Sequence, residues 1–250
     1  MAGGGRLHRR ALTGIDTIVL LAAGQGSRLR SASRSKPLCL AGGRTLIDHA
    51  LERAAMAGLR RAIVVTGYLA DELEAYLASR PWPLEVVTIR TADWLQPNGV
   101  SALAAVPLLH GAASLLAMCD HIVDPQLYRR LAATGGGAGL VLGIDRRLDH
   151  PWVDPDDVTR VKTGADGRIT AIGKGLAHYD SHDTGVFAVG PAFFSALAML
   201  AQPSVSQAVQ WLADRGCAAT VDCSDLDWLD VDEPKALAIA EQWLRHCRAA

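Results

Sequence analysis

The sequence lacks paired cysteines. Its five cysteines are odd in number, and no two of them form a Cys-x-x-Cys pair: Cys39, Cys119, Cys217, Cys223 and Cys247. Disulfide frameworks use even numbers of cysteines and structural zinc sites use closely spaced pairs, so the pattern argues against both. We therefore expect reduced, mostly buried thiols and a cytoplasmic location.

Clusters of positive charge and long apolar runs are also missing. The net charge is −1 and no dense Lys/Arg run occurs, whereas nucleic-acid-binding proteins usually carry a basic face. No apolar stretch approaches the ~20 residues that span a bilayer. Residues 1–14 are rich in Gly and Arg and are expected to be flexible. The Arg9-Arg10 pair suggests twin-arginine export, but the next apolar run is short and has no small-residue cleavage site. We expect neither a nucleic-acid partner nor a membrane span.

The first part of the chain alternates apolar runs typical of buried strands with segments of helical spacing. The predicted strands are 17–22, 62–66, 84–89, 114–118 and 140–144, and the predicted helices are 45–56, 69–77, 99–109 and 125–133. This alternation predicts an α/β fold with a doubly wound, mixed but mostly parallel sheet, similar to a Rossmann fold.

The rest of the chain has a different pattern. It predicts a hairpin of 158–162 with 168–172, a strand at 186–189, helices at 191–201 and 204–213, strands at 217–222 and 228–232, and a helix from Pro234. We predict one domain over residues 15–250. Residues 15–145 would bind a nucleotide, and residues 146–250 would be a partly β-rich region that faces a second substrate and completes a metal site.

A glycine-rich loop follows the first strand and carries most of the chemical signal. It reads Leu21-Ala-Ala-Gly-Gln-Gly-Ser-Arg-Leu29, with Lys36-Pro37 shortly after. Ligands of doubly wound sheets bind beyond the carboxyl ends of the strands. Glycines let backbone N–H groups approach phosphate oxygens, and the cations of Arg28 and Lys36 would stabilise charge on a reacting triphosphate.

Other interpretations of this loop remain open to different degrees. A nicotinamide dinucleotide site would need a third glycine where Leu29 stands and an acidic residue after the next strand, which ends in Thr66-Gly-Tyr68. A Walker loop would need Gly-Lys-Ser/Thr, which is absent. A purely structural glycine turn stays possible, although Arg28 and Lys36 weigh against it.

Three aspartates are candidates for a metal site. Asp120 follows the fourth predicted strand, and Asp230 and Asp232 alternate along a predicted extended segment, so that both would point to one face. A few carboxylates suit Mg²⁺, which fills its coordination shell with water and substrate phosphates. Each residue alone is equally an ordinary strand-end Asp, and only their combination with a phosphate loop favours the metal.

Two further segments offer polar groups. Asn98 and Ser101 begin a predicted helix and would lie near a base or ribose, with simple helix capping as the alternative. Lys174, Asp183 and Thr184 lie in the region that faces the second substrate, where Lys174 would hold the acceptor phosphate. An exposed lysine is more often only solvated surface.

Together these segments resemble the nucleotidyltransferase superfamily with the GT-A-like fold. The similarity runs from Asp16 to about Leu244, and Leu21 to Pro37 matches the superfamily pattern Leu-Ala-Ala-Gly-x-Gly-x-Arg-Leu…Lys-Pro. Within it, the chain looks most like cytidylyltransferases that act on inositol 1-phosphate, and like relatives that use phosphonates or phosphocholine. The motifs that carry this narrower similarity are Asn98-Gly99…Ser101, Asp120-His121, Thr159-x-Val161, Ile172-Gly-Lys174, Asp183-Thr-Gly185 and Trp228-x-Asp-Val-Asp232.

The resemblance implies transfer of CMP from CTP to a small phosphorylated or phosphonylated acceptor, with Mg²⁺ as cofactor and pyrophosphate as product. It implies three sets of residues. Lys36, Arg28 and Asp120 would be catalytic, and Asp120, Asp230 and Asp232 would be metal ligands. CTP would be bound by Leu21, Ala22, Ala23, Gly24, Gly26, Ser27, Arg28, Lys36, Thr66, Gly67, Asn98, Gly99 and Ser101. The acceptor would be bound by His121, Lys174, Asp183 and Thr184.

Several alternatives stay open beside this interpretation. The inositol enzymes are often fused to a membrane-embedded domain, and no transmembrane segment is present here, so a stand-alone relative that activates phosphonates is an alternative. Phosphocholine or sugar-phosphate nucleotidyl transfer, a glycosyltransferase that uses Asp230-Val-Asp232 as its metal motif, and a catalytically inactive binding protein are the others. A homodimer is compatible with the sequence.

Overall fold

A computed structural model describes residues 14–249, with side chains through residue 246. The predicted fold class is confirmed: a mostly parallel mixed sheet of nine strands is flanked by helices. The segment predicted to be flexible, residues 1–14, lies outside the described residues except for Gly14, as does the side chain of Cys247. Within the described part, no helix is both long enough and apolar enough to cross a bilayer.

The strands are β1 (Thr17–Ala22), β2 (Leu40–Ala41), β3 (Arg44–Thr45), β4 (Arg61–Thr66), β5 (Glu85–Arg90), β6 (Ser114–Met118), β7 (His121–Val123), β8 (Leu140–Asp145), β9 (Arg160–Thr163), β10 (Ile169–Gly173), β11 (Ser181–Val189), β12 (Ala218–Asp222) and β13 (Trp228–Asp230). The helices are α1 (Leu46–Met56), α2 (Ala70–Ala78), α3 (Asn98–Ala104), α4 (Val106–Leu109), α5 (Pro125–Ala132), α6 (Pro191–Ala198), α7 (Val205–Ala213) and α8 (Pro234–Ala249).

The central sheet has the strand order β10-β9-β11-β6-β1-β4-β5, with β8 on β11 and β12 on β8. β1 is parallel to both of its neighbours, β4 and β6, and β11 runs antiparallel to β6. Strand β1 therefore lies inside the sheet, which is why its sequence is a continuous apolar run rather than an alternating one. The loop after β1 opens at the same edge as the end of β6.

Helices cover both faces of this sheet. Ile18 and Leu20 of β1 pack in one apolar cluster with α1, α2 and α5, while Val19 and Leu21 pack in the opposite cluster with α3, α6 and α7. This division follows from the two-residue period of a strand. A third cluster joins α8 to Leu29 and to strands β7 and β13. It fixes the glycine loop against the C-terminal part of the chain.

The structure corrects several predicted element bounds. The helix expected over residues 99–109 is two helices, α3 and α4, because Pro107 provides no N–H and its ring would clash with the carbonyl four residues earlier. The strand expected at 186–189 begins at Ser181, and its irregular register around Gly185 hid the extension. The strand expected at 228–232 ends at Asp230. The predicted hairpin is confirmed as the antiparallel pair β9 and β10.

Candidate active site

Gly26 and Lys36 are in close contact in the loop after β1. Gly26 has a φ of 59°, and a Cβ added to it would lie 2.4 Å from Lys36 Cβ. Two 3₁₀ turns, Ser27–Leu29 and Lys36–Leu38, follow this glycine. Only glycine combines the left-handed backbone with so close an approach. The sequence Gly-x-Gly therefore matters because it lets the chain fold over the lysine.

Lys36 forms an ion pair with Asp120, whose carboxylate follows β6. The two side chains are only 13% and 17% exposed. Burial by itself lowers the pKa of Lys36 and is the largest single effect, but the charges of Asp120 and Asp230 outweigh it and raise the pKa above its usual value. Lys36 is thus a permanent cation at neutral pH, as a phosphate-binding group must be.

The short strands β7 and β13 bring the distant aspartates to Asp120. They pair antiparallel with Asp230 opposite His121, and the Val231 N–H donates to the Asp120 carbonyl at 3.0 Å. Asp232 lies one residue beyond Val231, past the end of the strand, and forms an ion pair with Arg28. The aspartates therefore meet at one place, although not through the extended strand that the sequence predicted.

His121 lies between Asp120 and Asp230, two of the candidate metal ligands. Its Nδ1 donates to the Thr184 carbonyl at 3.0 Å, which leaves Nε2 facing Asp230 Oδ2 at 3.4 Å. Burial tends to lower the pKa of His121, but Asp230 and Asp120 raise it to about 10. The ring also stacks on Trp228. This arrangement holds a positive charge beside Asp230.

The carboxylates have the chemistry of a divalent-metal site. Buried oxygens Oδ1 of Asp120 and Oδ1 of Asp230 have no hydrogen-bond partner within the described part of the chain. Ligand atoms of Asp120, His121 and Asp230 lie within 4.8 Å of one another, and so do those of Asp157, Asp230 and Asp232. Oxygen-rich sets with carboxylates suit Mg²⁺. The residues present thus fit such an ion.

A two-lobed cleft surrounds the Lys36–Asp120 pair. The first lobe has a volume of about 200 Å³. Nine of the predicted residues line it: Leu21, Ala22, Ala23, Gly24, Gly26, Lys36, Asn98, Ser101 and Asp120. It contains the loop predicted to hold the triphosphate, and we call it the nucleotide lobe.

The second lobe has a volume of about 280 Å³, and we call it the acceptor lobe. The predicted residues that line it are Arg28, Lys36, Asn98, Asp120, His121, Lys174, Asp183, Asp230 and Asp232. Lys36, Asn98, Met118 and Asp120 border both lobes. Burial raises the pKa of Asp183 to about 6, although the hydrogen bond that it accepts from the Gly185 N–H acts to lower the pKa. The cleft is therefore continuous from the glycine loop to the acidic end of β13.

Four residues predicted to contact the nucleotide line neither lobe. Ser27 is exposed, and the buried Thr66 hydroxyl donates to Glu74 Oε1 at 2.7 Å. Gly67 packs against Ala23, and Gly99 packs against Pro203, to whose carbonyl its N–H donates. Their contacts with CTP stay predictions.

Thr184, predicted to bind the acceptor, also has a different place. Its side chain is fully buried, and its hydroxyl donates to the Gly143 carbonyl at 2.8 Å. Its contribution to the site is its own carbonyl, which accepts from His121 Nδ1 and orients the ring. Successive side chains of a strand point to opposite faces, so the Thr184 hydroxyl lies in the core while Asp183 lines the cleft.

Asp157 is a functional candidate that the sequence prediction missed. Its Oδ2 accepts from Arg28 Nη2 at 2.9 Å, and its Oδ1 accepts from Lys174 Nζ at 2.5 Å. Burial raises the pKa of Asp157, but these two cations outweigh burial and lower it to about 2. The signal in the sequence was the acidic turn Asp154-Pro-Asp-Asp157, which lies in the region expected to face the acceptor.

Two tryptophans that were not among the predicted site residues also line the cleft. Trp94 lines the nucleotide lobe and has its ring 5.1 Å from that of Tyr68. Trp152 lines the acceptor lobe, 5.0 Å from the ring of Trp243. Both lie in connecting segments without regular secondary structure. Large aromatic side chains in such polar loops were the available sign of a binding surface.

Comparison with known proteins identifies similar sequences. Residues 18–161 match the family model of the MobA-like NTP transferase domain. The bifunctional IPC transferase and DIPP synthase of Rubrobacter xylanophilus is 33% identical over 89% of this chain and 50% of that protein. The protein of the same name from Aquifex aeolicus is 27% identical over 92% of this chain and 52% of its own length. The chain thus spans about half the length of these relatives.

A relative that matches a smaller part of the chain has a different name. The bifunctional protein GlmU of Paracidovorax citrulli is 32% identical over 62% of this chain and 32% of that protein.

Solved structures share the fold. The inositol-1-phosphate CTP transferase from T. maritima superposes with a TM-score of 0.83 at 21% identity, covering 93% of this chain and 96% of that chain. A UDP-glucose pyrophosphorylase complexed with UDP-glucose gives a TM-score of 0.77 at 15% identity, over 94% and 100% of the two chains. At these identities the likeness establishes the common architecture.

Proposed function

Since the chain belongs to the MobA-like NTP transferase domain family, we propose that it transfers CMP from CTP to a small phosphorylated or phosphonylated acceptor and releases pyrophosphate. Membership makes it a nucleotidyltransferase, and the nucleotide and the acceptor are the parts we propose. The observation that carries the proposal is the Lys36–Asp120 ion pair at the junction of the two lobes. A reacting α-phosphorus between a nucleotide and an acceptor belongs at such a junction.

The proposed reaction is an in-line displacement. An acceptor oxygen attacks the α-phosphorus of CTP, the bond to the bridging oxygen of the β-phosphate breaks, and pyrophosphate leaves with that electron pair. The attacking phosphate or phosphonate oxygen is already anionic at neutral pH, so no proton has to be removed. The protein's tasks are then positioning and neutralisation of charge.

Residues of the glycine loop and its neighbours supply these tasks. The backbone at Gly24 is open to phosphate oxygens, because none of the described residues beyond its chain neighbours lies within 4 Å of its Cβ position. Lys36 offsets negative charge at the α-phosphate, and Arg28 stabilises the phosphates at the border with the acceptor lobe. Lys174 binds the anionic group of the acceptor.

Magnesium is the proposed cofactor. Asp120 and Asp230 would hold it, because each has a buried carboxylate oxygen without a hydrogen-bond partner in the described chain. Asp232 is a further candidate ligand, and its Oδ2 faces Arg28. A bound divalent ion withdraws charge from phosphate oxygens and brings them together. His121 and Lys36 lie beside these carboxylates and orient them.

CTP is proposed over other nucleotides on the strength of the relatives. The inositol-1-phosphate CTP transferase by its name uses CTP, and this chain shares its fold over nearly the whole length. A cytosine presents an amine where uracil presents an acceptor, so a wall with backbone carbonyls, such as that at Ala22, would discriminate between them. Initial rates with CTP, UTP, ATP and GTP test this. Equal rates with CTP and UTP would contradict the assignment.

An inositol phosphate or a phosphonate is the proposed acceptor. The solved inositol-1-phosphate CTP transferase supports the first of these. Lys174 would bind the anion, and His121 and Asp183 would contact the remainder of the molecule in the acceptor lobe. Phosphorus NMR with CTP, Mg²⁺ and a panel containing inositol 1-phosphate, 2-aminoethylphosphonate and phosphocholine would identify the product directly.

Sugar-phosphate nucleotidyl transfer is the second candidate. The similarity to GlmU and the fold shared with a UDP-glucose pyrophosphorylase favour it. The same NMR panel, extended with glucose 1-phosphate and N-acetylglucosamine 1-phosphate and with UTP, separates the two candidates. A nucleotide-sugar product formed faster than any CDP compound would favour this second function.

A further inference from the structure

We propose that the carboxylate of Asp157 occupies the place of the acceptor's anionic group at Arg28 and Lys174. The acceptor must displace this carboxylate in order to bind. This inference rests on the proposed function for the identity of the displacing anion. The anion-binding place in the acceptor lobe would therefore be filled by Asp157 before the acceptor binds. A phosphate or phosphonate binds there only in competition with the protein's own carboxylate.

The first support is the geometry of the three groups. The two oxygens of Asp157 are used separately, Oδ2 by Arg28 and Oδ1 by Lys174. A carboxylate that bridges two cations in this way presents its oxygens as a tetrahedral oxyanion would present two of its own. Arginine and lysine are both common phosphate-binding side chains. The pair is thus a binding place for an oxyanion that an aspartate fills.

The second support is that Asp157 is not needed to hold its own turn. The Val158 N–H donates to the Asp154 carbonyl at 3.0 Å, and Val158 packs against the apolar cluster of α1 and α5. Arg160 Nη2 donates to the Pro155 carbonyl at 2.9 Å, which closes the segment from the other side. The turn would keep its place when the carboxylate is removed.

The two cations are likewise positioned independently of Asp157. Arg28 belongs to the 3₁₀ turn that Gly26 opens, and the neighbouring Leu29 is buried in the third apolar cluster. Arg28 also has a second partner in Asp232. Lys174 follows directly on β10, whose pairing with β9 fixes its backbone. Loss of the carboxylate would therefore leave both cations at the lobe with less negative charge between them.

The consequence is a defined competition. Wild-type protein must break two ion pairs that are partly exposed, with side chains 28% exposed for Asp157 and 57% for Lys174. Partly exposed ion pairs contribute little individually, so the loss of both should strengthen anion binding about five- to tenfold. The effect should require Lys174 and should not require a nucleotide.

The test is a phosphorus NMR titration with methylphosphonate as the probe, without nucleotide, on the full chain. We compare wild type, Asp157→Asn, and Asp156→Asn as the matched control. Asp156 lies in the same turn but is exposed and lines neither lobe. The expected result is a dissociation constant about five- to tenfold lower for Asp157→Asn alone. The double variant Asp157→Asn with Lys174→Met should lose this gain.

Two results would overturn the proposal. One is weaker or unchanged binding by Asp157→Asn. Weaker binding would mean that the carboxylate orders the cations for the ligand, and unchanged binding would mean that it does not compete with the ligand. The other is an equal gain in Asp156→Asn, which would mean that only the general charge matters. Melting temperatures are measured alongside, and Asp157→Ser is judged by the same criteria if the amide variant unfolds.

The outcome is separable from that of the proposed function. Anion binding is measured without CTP and without turnover, so the Asp157 result stands even if no acceptor yields pyrophosphate. Conversely, turnover with CTP and unchanged anion binding in Asp157→Asn would leave the proposed function standing and remove only this inference.

Discussion

Gly185 lies directly against the ring of His121: a Cβ at position 185 would fall 2.2 Å from His121 Nδ1. Gly185 also has a φ of 76°, which disfavours any other residue. Strand β11 therefore bends around the histidine, and the carbonyl of the preceding residue reaches Nδ1. The irregularity of β11 serves to place this one ring.

Replacing Gly185 with alanine should therefore be strongly destabilising and should displace His121. Overpacking and a left-handed alanine each cost about 1–3 kcal/mol, so the free energy of unfolding should fall by about 2–4 kcal/mol. Urea denaturation measures this. Gly167→Ala is the matched control for left-handed strain, because none of the described residues beyond its chain neighbours lies within 4 Å of its Cβ position. Equal losses in both variants would show that contact with His121 adds nothing.

Asp120→Ala should abolish turnover while the fold remains. The carboxylate is the ion-pair partner of Lys36, and its buried Oδ1 has no hydrogen-bond partner among the residues that the structure describes, so its loss removes both the ion pair and a candidate metal ligand. We expect the rate of pyrophosphate release to fall at least about 10²-fold, as for other preorganised charges. Asp149→Ala, an exposed residue that lines neither lobe, is the control. Wild-type release by Asp120→Ala would refute its catalytic role.

The two missed tryptophans should have opposite kinetic effects. Trp94→Ala should raise the KM for the nucleotide about tenfold and leave the acceptor KM unchanged, because Trp94 lines only the nucleotide lobe. Trp152→Ala should do the reverse, because Trp152 lines only the acceptor lobe. Initial-rate kinetics with each substrate varied in turn give both constants. A rise of the same KM in both variants would contradict the division of the cleft.

The free energy of unfolding should fall in acid as Asp145 becomes protonated. This residue is fully buried, and burial raises the pKa of its carboxyl, but hydrogen bonds from Arg147 and Trp228 outweigh burial and lower it below its usual value. A depressed carboxyl pKa stabilises the folded state above the unfolded value of about 3.9 and loses this effect as the pH falls through the folded pKa.

The measurement is the free energy of unfolding between pH 7 and pH 2.5 for wild type and Asp145→Asn. The variant should be less stable at pH 7 by about 2–4 kcal/mol, because it leaves Arg147 and its neighbours without the charge that they surround. The difference should shrink below about pH 4. A difference that stays constant with pH would show that Asp145 is not ionised in the folded protein.

The architecture of the site follows from local patterns in a few places. The apolar run before Gly24 predicts an inner strand, and the glycines predict a close backbone approach, because both depend only on neighbouring residues. The meeting of Asp120 with Asp230 follows less directly, from the rule that strand ends converge at one edge of a sheet. The structure brings both carboxylates to Lys36 and His121.

Local patterns did not predict which side chains face the cleft. Thr184 and Asp183 are adjacent on β11, so their side chains point to opposite faces of the strand: the Thr184 hydroxyl bonds to the Gly143 carbonyl, and Asp183 lines the acceptor lobe. The spacing shows that only one of the two can face the cleft, and the folded chain shows which one. Similarly, Thr66 ends β4 as expected, but its hydroxyl pairs with Glu74 of α2.

Strand period, glycine freedom and charge are properties of the residues themselves, so the layered α/β fold, the glycine loop with its cations and the aspartates available for an ion could be predicted from the sequence. The ion pairs of Asp157 with Arg28 and Lys174 became visible only in the folded chain. Arg28 is 129 positions from Asp157 in the chain. Contacts over such separations depend on how loops pack on the finished sheet, and no local propensity encodes that packing.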